Sequence, residues 1–295
     1  MKNVFTGTGP AVITPFKTED LSVDFNALGN LLDFQIGQGI DFIVALGTTA
    51  ETATMSHNER HQVYQFIKQV NNGRLPLMVG FGGNNTAEVL SHIKSADLNG
   101  VDAILSVVPY YSKPSQEGLY RHFMAISQVC PVPIILYNVP SRCGVNMSAE
   151  TTLRLANSSD KFMGIKEASG NLEQIKKIID ESPDGFGVIS GDDAVIYGVN
   201  SAGGQGVISV MANALPAQTI ELTRKCMNHE AGAEALQQKY AELISLLFVE
   251  GNPAGVKAIL HQKGMIDNAL RLPLCPVSDK TYKLISAELK KIGVK

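Results

Sequence analysis

Lys161-Phe162-Met163-Gly164-Ile165-Lys166-Glu167, then Asn171-Leu172 with Ile175 and Ile179 behind it, then Gly187-Val188-Ile189-Ser190, is the stretch that decides the fold. A short apolar run, too brief for a helix, leads into apolar residues at helical spacing and then into a second short run. Asn171 is a good helix cap, and Leu172, Ile175 and Ile179 are expected to face inward. The unit reads strand, helix, strand. It recurs in both directions along the chain.

The other runs begin near Pro10 (Ala11-Val12-Ile13), Asp41 (Phe42-Ile43-Val44-Ala45-Leu46), Pro76 (Leu77-Met78-Val79), Asp102 (Ala103-Ile104-Leu105), Pro133 (Ile134-Ile135-Leu136) and Gly206 (Val207-Ile208). With the two above they make eight, rich in Val and Ile and bounded by Gly or Pro. Amphipathic segments alternate with them. Asp24 can cap one with Phe25, Leu28, Leu32 and Ile36 near one face; Ser56 and Glu59 form a capping-box pair before Val63, Ile67 and Val70, with Gly73 as the stop. Asn85 opens a helix ending near Gly100, and Ser115 opens another through Phe123 and Ile126.

Eight strand-helix units of about 28 residues fit the α/β class as a (β/α)8 TIM barrel, which typically needs about 250 residues. An open doubly wound sheet would want a phosphate loop after its first strand, where Thr14-Pro15-Phe16 stands instead. Beyond residue 225 no strand signal occurs, and helices are expected over 231–248, 253–262 and 278–291. The division is thus a catalytic barrel over 1–225 and a C-terminal helical region over 226–295 packed on it.

The chain has 295 residues, 25 Lys and Arg against 28 Asp and Glu, and 44% apolar residues. That near-neutral balance speaks against a nucleic-acid groove and a polybasic membrane surface, and the apolar fraction speaks against disorder. Cys130, Cys143, Cys226 and Cys275 match no zinc or redox spacing, which suits reduced thiols in a cytoplasmic protein. Met1-Lys2-Asn3-Val4-Phe5 runs into Thr6-Gly7-Thr8 without a signal-peptide apolar region, and no apolar stretch is long enough to span a membrane.

Barrel chemistry belongs at the carboxyl ends of the strands. The runs there end in Gly47-Thr48-Thr49-Ala50-Glu51, Pro109-Tyr110-Tyr111, Tyr137-Asn138-Val139-Pro140-Ser141-Arg142, Lys166-Glu167, Ser190-Gly191-Asp192-Asp193 and Ile208-Ser209. Alternation puts Gly164 and Lys166 on one face and Met163 and Ile165 on the other, so Lys166 is expected in the barrel mouth. A desolvated amine has a larger neutral fraction, as attack on a carbonyl requires. The rival reading is a phosphate-binding or surface lysine. Tyr137 beside it could relay protons, or simply be half-buried with its hydroxyl in water. Thr48 and Thr49 offer hydroxyls and N–H groups to a carboxylate, or cap a strand end. Arg142 carries a planar fork for a carboxylate, or a surface ion pair. His57 and His61, one turn apart, lack an evident third ligand and read as a solvated helix face; all six histidines are expected in helices.

As a set these motifs, with Gly164-Ile165-Lys166, Gly206-Val207-Ile208-Ser209 and Arg271-Leu272-Pro273-Leu274, resemble the bacterial dihydrodipicolinate synthase family of the pyruvate-dependent class I aldolases and lyases, from Gly9 to about Pro276. The resemblance implies condensation of pyruvate with L-aspartate 4-semialdehyde to 4-hydroxy-tetrahydrodipicolinate, on the route to diaminopimelate and lysine. It makes Lys166 the Schiff-base residue, with no metal or coenzyme. Tyr137, Thr48 and Tyr111 become a proton relay, Tyr111 reaching into a neighbouring subunit's site. Thr49 and the backbone at Ile208 hold pyruvate, Gly191 lines the pocket, and Arg142 holds the semialdehyde carboxylate. L-lysine as feedback inhibitor would contact Thr52, Ala53, His57, Asn84, Glu88 and Tyr110. A homotetramer of tight dimers is implied.

The sialic acid lyases lack an arginine at the position of Arg142, which favours the synthase. Another lyase, cleaving N-acetylneuraminate or a 2-keto-3-deoxy sugar acid, is the nearer rival, and a non-catalytic keto-acid-binding barrel the more distant one. Three departures from the family pattern stand out. Ala50 replaces a usual glycine and could change the turn's backbone; Cys143 replaces threonine; Asn252-Pro253-Ala254-Gly255 replaces Asn-Pro-Ile-Pro.

Overall fold

The structure is a computed structural model that describes residues 4–294; Met1-Lys2-Asn3, at the head of the stretch searched for a signal segment, lies outside them. Eight strands and twelve helices follow in the order β1 (Gly7–Pro10), α1 (Phe25–Gly37), β2 (Ile43–Ala45), α2 (His57–Asn71), β3 (Leu77–Gly80), α3 (Thr86–Ser95), β4 (Ala103–Val107), α4 (Gln116–Val129), β5 (Ile134–Asn138), α5 (Pro140–Cys143), α6 (Ala149–Ser158), β6 (Phe162–Glu167), α7 (Leu172–Glu181), β7 (Gly187–Ser190), α8 (Ile196–Ser201), β8 (Gly206–Ser209), α9 (Pro216–Met227), α10 (Ala233–Phe248), α11 (Ala254–Gln262) and α12 (Asp279–Lys291). The strands form one parallel sheet in the order β1-β8-β7-β6-β5-β4-β3-β2. It closes through a parallel bridge between Ala11 and Val44, where the Val12 N–H donates to Val44 O at 3.0 Å. This is a (β/α)8 barrel with additional C-terminal helices.

The first strand differs from expectation. It is Gly7–Pro10, not the more apolar Ala11-Val12-Ile13. The side chain of Asn213 takes the backbone groups there: Nδ2 donates to Ala11 O and Oδ1 accepts from Ile13 N–H. Those residues are buried and keep only a bridge: Ala11 N–H donates to Ser209 O and Val12 N–H to Val44 O, while the Asn213 amide takes Ala11 O and Ile13 N–H. Gly9 permits the strand to enter, since a Cβ on it would fall 2.1 Å from the Phe42 ring.

Asp24, Asn85, Ser115 and Asn171 cap their helices as expected, and Ser56 with Glu59 makes a complete capping box. Asn72, in left-handed conformation, ends α2 one residue before Gly73. The helix opened by Asn85 stops at Ser95, well short of Gly100. In α7 the buried residues are Ile175 and Ile178, while Leu172 is 44% exposed because it lies at the first turn, over Gly198 of α8. The sequence pattern does not mark α6: its buried face is Ala149, Thr151, Thr152, Leu155 and Ala156, too small and polar to register as an apolar stripe.

The expected C-terminal helices are present at 233–248, 254–262 and 279–291. A boundary at 225/226 falls in the last turn of α9. The C-terminal helices share one apolar core with Ile13, Leu31, Ile196 and Val207 of the barrel. Gln237 of α10 ties them to the rim, donating to Asp193 O at 3.0 Å. Among the described residues no helix is long and apolar enough to cross a membrane.

Candidate active site

Lys166 stands at the carboxyl end of β6, in register with Tyr137 on β5 and Ile189 on β7. The expected alternation holds: Ile165 is buried, and Lys166 lines the barrel mouth at 6% exposure, its Nζ 4.3 Å from the centroid of the Tyr137 ring. Glu167 is pinned by other contacts. Its carboxylate accepts from Asn138 Nδ2 (3.0 Å), Ser169 N–H (2.7 Å) and Gln174 Nε2 (3.1 Å), and burial raises its pKa. Fixing Glu167 fixes the strand end and therefore the direction in which Lys166 leaves it. Gly191, beyond β7, makes room for that side chain. A Cβ there would lie 3.0 Å from both Cγ and Cε of Lys166 and 2.8 Å from the Ala168 methyl.

The turn after β2 supplies Thr48 and Thr49. Thr48–Ala50 is a single 3-10 turn, with the Glu51 N–H donating to Thr48 O. Left-handed backbone falls on Leu46 and Glu51, not on Ala50, so the alanine at that departure sits in ordinary backbone and is buried. Thr14 Oγ1 donates to Ala50 O at 2.8 Å, and Asn252 Nδ2 donates to Thr49 Oγ1 at 2.9 Å. At the third departure, Gly255 lets α11 lie against α10; a Cβ would be 2.6 Å from Leu247 Cα.

After β5 the chain makes one turn of helix, with the Arg142 and Cys143 N–H groups both on Val139 O, and Gly144 ends it in left-handed conformation. Cys143 is buried, its thiol donates to Val108 O at 3.2 Å, and burial pushes it up to about 11. Arg142 is exposed, and its guanidinium has no hydrogen-bond or ion-pair partner among the described residues.

Two cavities meet here. One of about 630 Å³ is lined by Lys166, Thr48, Thr49, Tyr137, Arg142 and Gly191 among others. A second of about 440 Å³ shares Thr48, Tyr137 and Arg142 and adds Thr52, Ala53 and Tyr110. Six of the eight residues singled out for catalysis and substrate binding therefore converge. The Ile208 side chain is buried within β8, and Val210 is the wall residue from that strand's end. Tyr111 lies outside both cavities, 90% exposed and in left-handed backbone.

The residues expected at an effector site divide. Thr52, Ala53 and Tyr110 line the second cavity; Asn84 and Glu88 are exposed at the start of α3. His57 lines a pocket of about 240 Å³ with His61, Tyr64 and His92, which adjoins the second cavity through Leu46, Arg60 and Phe81, and its ring meets that of His92 edge-on at 4.3 Å. His57 and His61 are both exposed on α2, as a solvated helix face requires, and each ring also meets an aromatic neighbour edge-on; no cluster of three metal-ligating side chains occurs among the described residues. Five of the six histidines lie in helices; His229 follows the end of α9.

Several supporting residues escape sequence reasoning. Asp193 is buried and accepts the N–H groups of Val210 and Met211, both at 2.9 Å, joining the rims of β7 and β8; burial pushes its carboxyl up to about 6. Asn252 reaches Thr49 from the far end of the chain. Glu51 and Lys257 form an ion pair with both side chains fully buried. Glu51, Asp193 and Asn252 stand in motifs the sequence displays, but no local pattern pairs Glu51 or Thr49 with residues two hundred positions away.

A parallel barrel with a lysine buried at its rim, against a tyrosine and in one cavity with two threonines, defines the class: a barrel enzyme whose polar groups gather at the carboxyl ends of its strands. The Dihydrodipicolinate synthetase family model matches residues 4–292, and the chain belongs to that family. A 4-hydroxy-tetrahydrodipicolinate synthase of Azobacteroides pseudotrichonymphae is 49% identical over 287 residues, 97% of each chain. Among solved structures, the chloride-inhibited dihydrodipicolinate synthase of Acinetobacter baumannii complexed with pyruvate is 40% identical, with a TM-score of 0.95 over 99% of this chain and 100% of that one. The enzyme of Cyanidioschyzon merolae with lysine bound is 33% identical, also with a TM-score of 0.95, over the whole of both chains.

Proposed function

We propose that the protein condenses pyruvate with L-aspartate 4-semialdehyde through a Schiff base on Lys166, giving 4-hydroxy-tetrahydrodipicolinate. The observation that carries this reading is the buried Lys166 against Tyr137, in one cavity with Thr48, Thr49 and the unpaired Arg142.

The neutral amine of Lys166 adds to the keto carbon of pyruvate, and loss of water leaves an imine. The imine nitrogen withdraws electrons, so the methyl carbon gives up a proton and an enamine forms. That carbon attacks the aldehyde of the second substrate, making the new carbon–carbon bond, and the aldehyde oxygen takes a proton to become the hydroxyl. The substrate's own amine then attacks the imine carbon, closing the ring and displacing Lys166. Tyr137 and Thr48, with Tyr111 from a second copy of the chain, move the protons; Thr49 and the backbone at Ile208 hold the pyruvate carboxylate, beside Gly191. Arg142 receives the semialdehyde carboxylate, which sets this reaction apart from sugar-acid cleavage. Lys166 supplies the electron sink, so no coenzyme or metal takes part.

The finer features of the reading are a cytoplasmic homotetramer, in which Tyr111 can reach a neighbour, and feedback by L-lysine through Thr52, Ala53, His57, Asn84, Glu88 and Tyr110. Activity unchanged by millimolar L-lysine would remove the feedback. The deciding experiment combines pyruvate with borohydride and reads the mass added to Lys166, beside turnover of the semialdehyde. Wild type should be labelled and active, and Lys166→Ala neither, a loss of roughly 10⁴-fold or more in kcat. Labelling with pyruvate but no turnover of the semialdehyde would move the protein to another pyruvate lyase. No labelling would leave a binding protein.

A further inference from the structure

We infer that Glu51, clamped by Lys257 and Arg271, is a positioning residue for the pyruvate end of the site. This rests on the reading of Lys166, Thr48 and Thr49 given above and extends it to groups that touch no substrate.

Glu51 is the hinge of the turn. It closes the Thr48–Ala50 turn and opens the Thr52–Thr54 turn, and its own backbone is left-handed at φ 58°. Such a conformation persists in a non-glycine residue only where the surroundings hold it. Here the C-terminal extension holds it. Glu51 Oε1 lies 2.5 Å from Lys257 Nζ, an ion pair with both side chains fully buried. Oε2 accepts the Arg271 N–H at 3.1 Å. Lys257 Nζ donates to Ala269 O at 2.9 Å. Arg271 Nη1 donates to Thr54 O at 3.3 Å, and its Nη2 donates to Glu59 Oε1 at 2.6 Å. The ring of Phe16 lies between the two cations, 4.4 Å from Lys257 Nζ and 4.3 Å from Arg271 Cζ.

The geometry singles out the turn. Asn252 and Lys257, five residues apart at the start of α11, grip it on both sides, at Thr49 and at Glu51. Thr48 and Thr49 lie between the barrel strand and these anchors. A buried pair of charges is a poor way to gain stability, because desolvation offsets its attraction and an apolar pair of similar volume often does as well. What an ion pair offers instead is direction: the carboxylate can sit only where the Lys257 ammonium and the Arg271 backbone N–H both reach it. Burial pushes the Lys257 ammonium down to about 8, with Glu51 opposing that shift. The four facing charges, Glu51 and Glu59 against Lys257 and Arg271, balance.

The test is Glu51→Gln, which keeps the shape and removes the charge, examined with the full-length protein. Expected is a folded variant whose KM for pyruvate rises about 10-fold, while the KM for the semialdehyde stays within about twofold. Borohydride should still trap pyruvate on Lys166 at saturating pyruvate. A folded variant with unchanged pyruvate kinetics and only a lower Tm would overturn the proposal, since that is the mark of a merely structural pair. Should the single variant not fold, the neutral double variant Glu51→Gln with Lys257→Met carries the same test and the same two outcomes. Absence of both adduct and turnover in the wild type would overturn the functional reading and this proposal with it; full wild-type activity beside unaltered variants overturns the proposal alone.

Discussion

The two halves of the site are built differently. On the pyruvate side, Lys166 and Thr49 are buried, and Thr49, Ala50 and Glu51 are each held by hydrogen bonds or an ion pair to distant parts of the chain. On the other side, Arg142 is exposed and unpaired, Tyr110 is partly exposed, and Tyr111 projects almost fully into solvent from a left-handed backbone. One half is set before any ligand arrives. The other presents its groups to solvent. That division suits an ordered reaction, in which a small keto acid is fixed covalently in the rigid half and its larger co-substrate is then captured by the open one.

The largest effect that would break the comparison is at Arg142. Arg142→Gln removes a charge and a two-pronged donor but leaves the α5 turn, none of whose hydrogen bonds involves the Arg142 side chain. A charge-assisted, bidentate carboxylate contact is worth enough that the KM for the semialdehyde should rise roughly 100-fold. Trapping of pyruvate on Lys166 should be unaltered. Steady-state kinetics in both substrates check this. Equal rises for both would mean that the halves are not separate, and no rise at all would return Arg142 to the surface ion-pair reading.

A smaller effect is expected at Gly191, within the rigid half. The Cβ of Gly191→Ala would press on Lys166 Cγ and Cε and on Ala168 at 3.0 Å or less. The Ala168 methyl has no rotamer to escape into, so the backbone beside it must give, and the lysine stem must shift by a few tenths of an ångström as well. Displacement of a nucleophile on that scale should lower kcat about 10-fold, with the semialdehyde KM unchanged. Rapid-quench trapping with borohydride would locate the loss in imine formation. Full activity would show that Lys166 tolerates movement and that the rigid half is less fixed than its contacts imply.

Much of this was legible beforehand, and the reasons differ by residue. Lys166 was legible because alternation along a six-residue strand assigns its face without knowledge of any partner. The helix caps were legible because a cap is a contact within three residues. The first strand was not: its apolarity pointed to Ala11-Val12-Ile13, but there the strand narrows to a single bridge with Val44, and Asn213, two hundred residues away, takes Ala11 O and Ile13 N–H. The same distance hides Asn252, Lys257 and Arg271 from any local pattern, although Arg271 belongs to a recognisable motif. The open half was legible as chemistry but not as a site, because Tyr111, Asn84 and Glu88 converge on nothing within one chain.

The smallest effect lies where the rigid half meets α2. Glu59 is at once the third helical residue of the capping box, accepting the Ser56 N–H at 2.9 Å, and the partner of Arg271. The Arg271 guanidinium and the Ser56 N–H hold its carboxyl at about 2, against an ordinary 4.5. A depressed carboxyl stabilises the folded state above its unfolded pKa, and the gain fades as the pH falls from 4.5 towards 2. The group is partly open to water, so its contribution at pH 7 is about 1 kcal/mol rather than the larger figure the full shift would suggest. Urea unfolding of Glu59→Gln should therefore show a loss of that size at pH 7, closing as the pH is lowered towards 2. A loss several times larger at pH 7 would mean that Arg271 leaves Glu51 when it loses Glu59. The clamp on the pyruvate side would then extend to the start of α2, beside His57, and the rigid half would be physically continuous with the open one.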